Sequence, residues 1–195
     1  MRYLEVTCRL LLAAVFVVAA FNKASGKTAW LSFVQSLHQL RQVPASLVRP
    51  VAVAAVTTET TVALLLLVPV RAVGAAGFAV AAGLLLAFTV VIGLAVSRGN
   101  RAPCRCFGAS RVPLGMPHVI RNLVLILAAV LGLIGALSEG TAEVPYALLA
   151  GTGGLILGIL ITAAEDIVAL VKPIGTLRSV SATSTRGPHR TSRSD

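Results

Sequence analysis

Five long apolar runs dominate the pattern of hydrophobic and polar positions along the chain. A helix that crosses the ~30 Å hydrocarbon core of a bilayer needs about 20 mostly apolar residues. The runs that meet or approach this requirement are Leu4–Phe21, Val51–Val68, Ala72–Val96, Val119–Leu137 and Pro145–Leu170. The pattern predicts an all-α protein, a polytopic membrane helix bundle with a four-helix core and a fifth span.

The polar stretch Asn22–Pro50, between the first two runs, predicts one further helix of a different kind. Its apolar residues recur at intervals of three and four, which places them on one helical face. They are Trp30, Phe33, Val34, Leu37 and Leu40. Gln35 and Gln39 point away from this face, and His38 at its border is better explained as a polar edge residue than as a ligand. We expect this amphipathic helix to rest at the membrane surface or to cap the bundle.

Small residues in the fifth run indicate how that span packs. Gly154 and Gly158 are four positions apart, so they share a helical face on which a neighbouring helix can approach closely. Packing within the bundle is a better explanation than a dimer interface.

The two ends of the chain carry different signals. Positive charge precedes the first run, as in a signal peptide, but Phe21-Asn22-Lys23 is a poor cleavage site, so we interpret this run as a retained span. Residues 173–195 form a basic, polar tail with too little apolar content to fold. We therefore expect a transmembrane domain over residues 1–172 and a disordered tail.

Composition agrees with the pattern. Hydrophobic residues make up 56% of the chain and charged residues only 12%, whereas soluble domains are usually ~45–50% apolar. The net charge of +10 does not indicate nucleic-acid binding, because the basic residues lie in short segments between apolar runs and in the tail. Their expected partner is the lipid bilayer, where they set topology and meet anionic lipids.

With five spans, the loop after the first span, the loop after the third and the tail share one side of the membrane. That side carries 14 of the 17 basic residues. The positive-inside rule then predicts that this side faces the cytoplasm and that the protein is a multi-pass protein of the cell (inner) membrane. Thiols on the cytoplasmic side are normally kept reduced, so a disulfide there would be transient.

The candidate chemistry lies between the third and fourth runs, in Arg101–Gly108, which we call the cysteine segment. It contains two of the three cysteines, Cys104 and Cys106, separated only by Arg105. A disulfide across one residue closes a small, strained ring, and strain favours exchange over permanent crosslinking. Neighbouring arginines favour the thiolate, which is the nucleophile. Two catalytic cysteines are therefore the leading interpretation.

Two other interpretations involve residues outside the pair. Cys104, Cys106 and His118 could form a three-ligand site for a soft metal, but the twelve residues from Cys106 to His118 leave its geometry unconstrained, so metal ranks below redox chemistry. Cys8 lies near the start of the first span, about 21 Å along a helix from Asn22. Since a disulfide needs Cα atoms within about 7 Å, we expect Cys8 to be a small buried residue, and a resolving thiol from outside the pair must come from another protein.

Three polar residues near or within the spans are candidates for supporting roles. Glu59 lies near the centre of the second span, where a charge is costly, so it should face the bundle interior. It is either a hydrogen-bonded packing residue or a proton relay or quinone contact. Arg121 and Asn122 open the fourth span; Arg121 either reaches lipid headgroups or pairs with a buried carboxylate or holds the cysteine segment.

These residues resemble the MauE family of methylamine-utilisation membrane proteins, which is related to DoxX. The resemblance rests on Cys104-x-Cys106-Phe107-Gly108 followed by Arg121-Asn122-Leu123, with weaker support from Lys27–Leu40 and from Glu59 with Leu64–Leu67. It extends over about Leu4–Leu137 and leaves out the fifth span and the tail. The cysteine and Arg-Asn elements together are fairly specific.

The resemblance implies a helical bundle associated with thiol redox chemistry. In the namesake system this supports maturation of the disulfide-rich methylamine dehydrogenase small subunit alongside a thioredoxin-like partner. It also suggests similarity to quinone-linked disulfide-forming membrane proteins, whose cysteines face outward, in conflict with the charge pattern. A quinone is thus a suggested cofactor, although the residues themselves identify none.

The sequence therefore predicts a membrane protein that supports thiol-disulfide exchange through Cys104 and Cys106 during maturation or oxidative folding of exported proteins. Cys106 is the favoured attacking thiol, and Arg105, Phe107, Gly108, His118, Arg121, Asn122 and Glu59 are the expected supporting residues. A thioredoxin-like protein and an exported client are the expected partners. The alternative is a non-catalytic membrane scaffold or a protein that binds a soft metal.

Overall fold

The computed structural model describes residues 1–40, 43–98, 116–138 and 143–171, and every long element in them is an α-helix. The helices are α1 (Arg2–Ala24), α2 (Lys27–Leu40), α3 (Val48–Leu67, after a short 3-10 turn at Ala45–Leu47), α4 (Arg71–Ser97), α5 (Met116–Leu137) and α6 (Val144–Val171). All except α2 are long and apolar enough to cross a membrane. The predicted fold class and the five spans are confirmed. The predicted tail, residues 173–195, lies outside the described residues.

Helix α1 is the centre of the bundle. It packs against α6, α3 and α5, meets α2, and touches α4. The middle of its inward side is apolar and almost inaccessible, with Leu12, Val15, Phe16 and Ala19 all buried in the main core. In a membrane such a core is held by close packing, because lipid tails are as apolar as the side chains.

Glycine brings α6 against α1. A Cβ atom placed on Gly154 would lie 2.2 Å from the carbonyl oxygen of Thr7, and one on Gly158 would lie 2.7 Å from that of Leu11. The Thr7 hydroxyl also donates a hydrogen bond of 3.1 Å to the carbonyl of Ala150. The prediction that the Gly154 and Gly158 face serves packing within the bundle is confirmed.

Helix α2 covers one end of the bundle, as its amphipathic pattern predicts. Phe33 is buried, Trp30, Val34 and Leu37 are partly buried, and Gln35, His38 and Gln39 are exposed. The turn from α1 into α2 passes through Gly26, whose φ of +140° is one that side-chain-bearing residues rarely adopt. This turn sends the chain back over the end of α1.

Candidate functional site

The cysteine segment lies outside the described residues, including Cys104, Arg105, Cys106, Phe107 and Gly108. Its position in the topology follows from the helices that it joins. Helix α4 ends at Ser97 and α5 begins at Met116, at the end of the bundle where α1 also ends and α2 lies. We refer to this as the cysteine end of the bundle.

A small apolar cluster fixes both helices from which the cysteine segment extends. Ile92 and Ala95 of α4 are buried there, and Val96, Leu37 of α2 and Val119 of α5 pack against them. The last turns of α4 and the first turns of α5 are thus tied to each other and to α2. The helices on either side of the cysteine segment, α4 and α5, are therefore packed together at this end of the bundle.

The main polar feature of the cysteine end is a buried ion pair. The ammonium group of Lys23, in the last turn of α1, donates a hydrogen bond to Oε1 of Glu59 on α3. Lys23 is 2% exposed and Glu59 is fully buried. The Phe33 ring of α2 lies 5.3 Å from the Lys23 nitrogen, a distance suited to a cation-π contact. Through these two contacts, Lys23 connects α1 to both α2 and α3.

The prediction that Glu59 faces the bundle interior is confirmed, but sequence reasoning missed its partner. The first span was expected to end at Phe21, which placed Lys23 in a loop. Instead α1 continues to Ala24. Side chains on a helix lean toward its N-terminus, so Lys23 reaches back into the bundle instead of out to water. Sequence reasoning missed Lys23 because it ended the first helix where its apolar run ends.

Two predicted supporting residues lie in the first turns of α5, at the same end of the bundle. Arg121 is half-buried and acts electrostatically on Lys23. Asn122 is 1% exposed, and its Nδ2 donates no hydrogen bond to the described residues. Oε2 of Glu59 likewise accepts none from them. Among the described residues, the cysteine end thus contains the Lys23 and Glu59 ion pair, Arg121 and the buried amide of Asn122.

Such an arrangement is not an efficient way to stabilise a bundle. Removing two charges from water is expensive, and replacing a buried ion pair by apolar side chains is often neutral or stabilising. Removing a single partner is strongly destabilising, because it leaves a buried charge without compensation. The pair can anchor helices, present charge to a neighbouring segment, or hold and release a proton.

Two other candidates occupy different positions. Cys8 is buried in the main core, as predicted, and packs as a small apolar residue. His118, half-buried at the start of α5, is the only member of the suggested metal-binding set that the structure describes.

The comparison with known protein families shows which family the chain belongs to. The family described as methylamine utilisation protein MauE matches residues 1–135, more than two thirds of the sequence. The chain belongs to the MauE family. It is therefore a multi-pass membrane protein of the methylamine-utilisation class, as the resemblance indicated.

The MauE match ends within α5, so α6 and residues 173–195 lie beyond the matched region. The buried ion pair, the cysteine segment, Arg121 and Asn122 all lie within it. No curated protein and no solved structure matches the chain.

Proposed function

We propose that this MauE-family protein supports thiol-disulfide exchange through Cys104 and Cys106, during maturation or oxidative folding of exported proteins. The observation that carries the proposal is a Cys-x-Cys pair in the family-matched region, on a segment whose flanking helices pack at the cysteine end. A disulfide across one intervening residue is strained and therefore ready to exchange.

The exchange conserves electrons between two proteins. The Cys106 thiolate attacks one sulfur of a disulfide in a thioredoxin-like partner, forms a mixed disulfide, and releases the other partner sulfur as a thiolate. Cys104 then loses its proton and attacks Cys106, which releases the second partner sulfur. The Cys104/Cys106 pair is oxidised by two electrons and the partner is reduced by two. The reverse sequence transfers the disulfide onward to a dithiol, including that of an exported client.

Trapping the intermediate tests this proposal. If Cys106 attacks and Cys104 resolves, Cys104→Ser should retain a mixed disulfide with the partner, because the second step is blocked. The matched control is Cys8→Ser, which removes a thiol buried in the core and should trap nothing. The covalent complex is detected as a reduction-sensitive mass increase in membranes quenched with acid. If neither Cys104→Ser nor Cys106→Ser traps a protein, thiol exchange is excluded as the function.

A second experiment decides where the exchange takes place. We place the protein in the inner membrane, and the charge pattern puts the cysteine end toward the cytoplasm. A membrane-impermeant maleimide applied to intact, reduced cells should then leave Cys104 and Cys106 unlabelled until the membrane is permeabilised. Labelling of intact cells would reverse the orientation and would agree with the outward-facing cysteines implied by the resemblance.

A further inference from the structure

We propose that a surface groove between α1 and α6 binds one acyl chain of a phospholipid whose phosphate meets Arg2. The groove lies where α6 packs against the first turns of α1, at the end of the bundle opposite the cysteine end. One of its two walls belongs to α6, a helix beyond the residues that the MauE family matches. The inference is therefore independent of thiol exchange.

The groove is suited to a hydrocarbon chain by its lining. It has a volume of about 340 Å³. Thr152 is the polar side chain in the lining, and its hydroxyl donates a hydrogen bond of 3.0 Å to the carbonyl of Leu149 within α6. The groove therefore offers its occupant packing contacts rather than polar ones. Its main lining residues are Val6 and Leu10 of α1 and Ala147, Leu148, Gly151 and Leu155 of α6.

Contacts beside the groove hold its two walls in place. The rings of Tyr3 and Tyr146 pack edge to face with their centroids 6.2 Å apart, and the Thr7 hydroxyl hydrogen-bonds to the carbonyl of Ala150 at 3.1 Å. Gly151 has no side chain to fill the space, and a Cβ there would lie 2.7 Å from Cδ1 of Leu10. The groove thus exists without any movement of α1 or α6.

The depth of the groove matches one leaflet of a bilayer. Both walls belong to helices able to cross a membrane. Tyrosine side chains are enriched at the membrane–water interface, and the exposed rings of Tyr3 and Tyr146 lie at the start of the groove. From there the lining extends from Val144 to Leu155, which is ~17 Å along a helix. Half of the hydrocarbon core is ~15 Å thick, the reach of one acyl chain from its headgroup.

Positive charge lies where the headgroup would be. Arg2 is one helical turn before Val6 on the same side of α1, and its side chain is 23% exposed. Glu5 pairs with both Arg2 and Arg9, so one carboxylate faces two guanidinium groups and a positive charge remains. A guanidinium fork fits phosphate oxygens well. Glu143, exposed just before α6, is a described acidic group that would oppose an anion here.

Native mass spectrometry of the full chain tests the site. The protein is freed of lipid in detergent and titrated with phosphatidylglycerol, and each mass shows how many phospholipids one chain carries. The wild type should bind one phospholipid at low concentrations of the probe. Ala147→Phe places a ring in the groove and should weaken this binding by about tenfold or more. Leu148→Trp, at a lining position that is 66% exposed, blocks the groove from its outer side and should act similarly.

Matched variants separate the groove from the rest of the surface. Leu149→Phe adds a ring on the same helix at a position that is 73% exposed and does not line the groove, so it should bind like the wild type. Arg2→Gln should weaken binding by about fivefold. Lys27→Gln, which removes an exposed cation at the cysteine end, should not. Glu143→Gln should bind at least as tightly as the wild type. Thermal unfolding in the same detergent identifies variants that fail to fold.

Several results would overturn the inference. A wild type that binds no phospholipid, or that binds it equally well after Ala147→Phe and Leu148→Trp, has no acyl-chain site in this groove. Equal binding by Arg2→Gln and Lys27→Gln would remove the phosphate contact. If the wild type is instead a dimer that Ala147→Phe converts to monomers, a second copy of the chain covers the groove and the lipid does not.

Discussion

Two buried carboxylates lie near opposite ends of α1. Both pair with basic side chains, but these come from different distances along the chain. Glu5 is neutralised within its own helix, by Arg2 at 2.6 Å and Arg9 at 3.2 Å. Glu59 is neutralised by Lys23, which is 36 positions away on another helix. The Glu5 cluster retains access to water, since the side chain of Arg2 is 23% exposed, whereas Lys23 and Glu59 are both buried.

The two carboxylates differ in whether their ion pairs form within one helix or between two helices. Residues three and four positions apart meet on one helical surface whatever the tertiary fold, so the Glu5 cluster forms as soon as α1 does. The Lys23 and Glu59 pair forms only when α1 and α3 pack together. Disrupting the second pair should therefore separate α1 from α3. Disrupting the first should affect the end of α1 and the hydrogen bond of 3.2 Å that Arg9 donates to the carbonyl of Val68.

The largest effect is expected from removing Glu59 without removing Lys23. Glu59→Leu leaves a buried ammonium group without its partner and should destabilise the protein by about 3–5 kcal/mol. Glu5→Leu should cost less, because Arg2 can turn to water. Denaturant or thermal unfolding in the same detergent measures both. Equal losses would remove the distinction between the two carboxylates.

The next largest effect is expected from a change in helix packing at the Glu5 end of α1. Gly154→Val places a side chain where a Cβ would lie 2.2 Å from the carbonyl oxygen of Thr7, so α6 must move away, at an expected cost of about 1–3 kcal/mol. Gly153→Val is the matched control, since a Cβ there meets nothing within 4 Å. The two variants are compared by thermal unfolding, and a control that is equally destabilised would contradict the close contact of α6 with α1. Exchange by folded Gly154→Val should remain, because the affected contact lies away from the cysteine end.

The smallest effect is expected at the turn that places α2 over Lys23. Gly26→Ala meets no steric obstacle, but its φ of +140° is unfavourable for alanine, and the expected loss is ~1 kcal/mol. Gly83→Ala, at an open site within α4, is the control and should be neutral or slightly stabilising. Unfolding measurements on both variants check this. A Gly26→Ala protein as stable as Gly83→Ala would show that the turn is not constrained.

Most of the fold was predictable because membrane helices follow from local composition. The five spans, the amphipathic face of α2 and the close approach at Gly154 and Gly158 each depend on spacing within one segment. Helix ends were less predictable, since polar residues such as Lys23 can extend a helix beyond its apolar run. That error of a few residues concealed one half of the ion pair.

At the site, the burial of a residue was predictable only where its own chemical type and its position in a span determine it. Burial of Glu59 follows from the cost of a charge at that depth, and burial of Cys8 from its position in the first span. The choice of Lys23 as the partner of Glu59 depends on how α1 and α3 pack, which no spacing within either segment specifies. The roles of Cys104 and Cys106 remain predictions from their spacing and from the family.

The redox state of Cys104 and Cys106 in growing cells tests thiol exchange by this pair most directly. Cells are quenched with acid, free thiols are blocked with maleimide, and disulfides are then reduced and labelled with a heavier maleimide. In a Cys8→Ala background, we predict that a fraction of the chains gains two heavy labels, on Cys104 and Cys106. A pair found entirely reduced, both in the wild type and when a thioredoxin-like partner is overproduced, would contradict thiol exchange through Cys104 and Cys106.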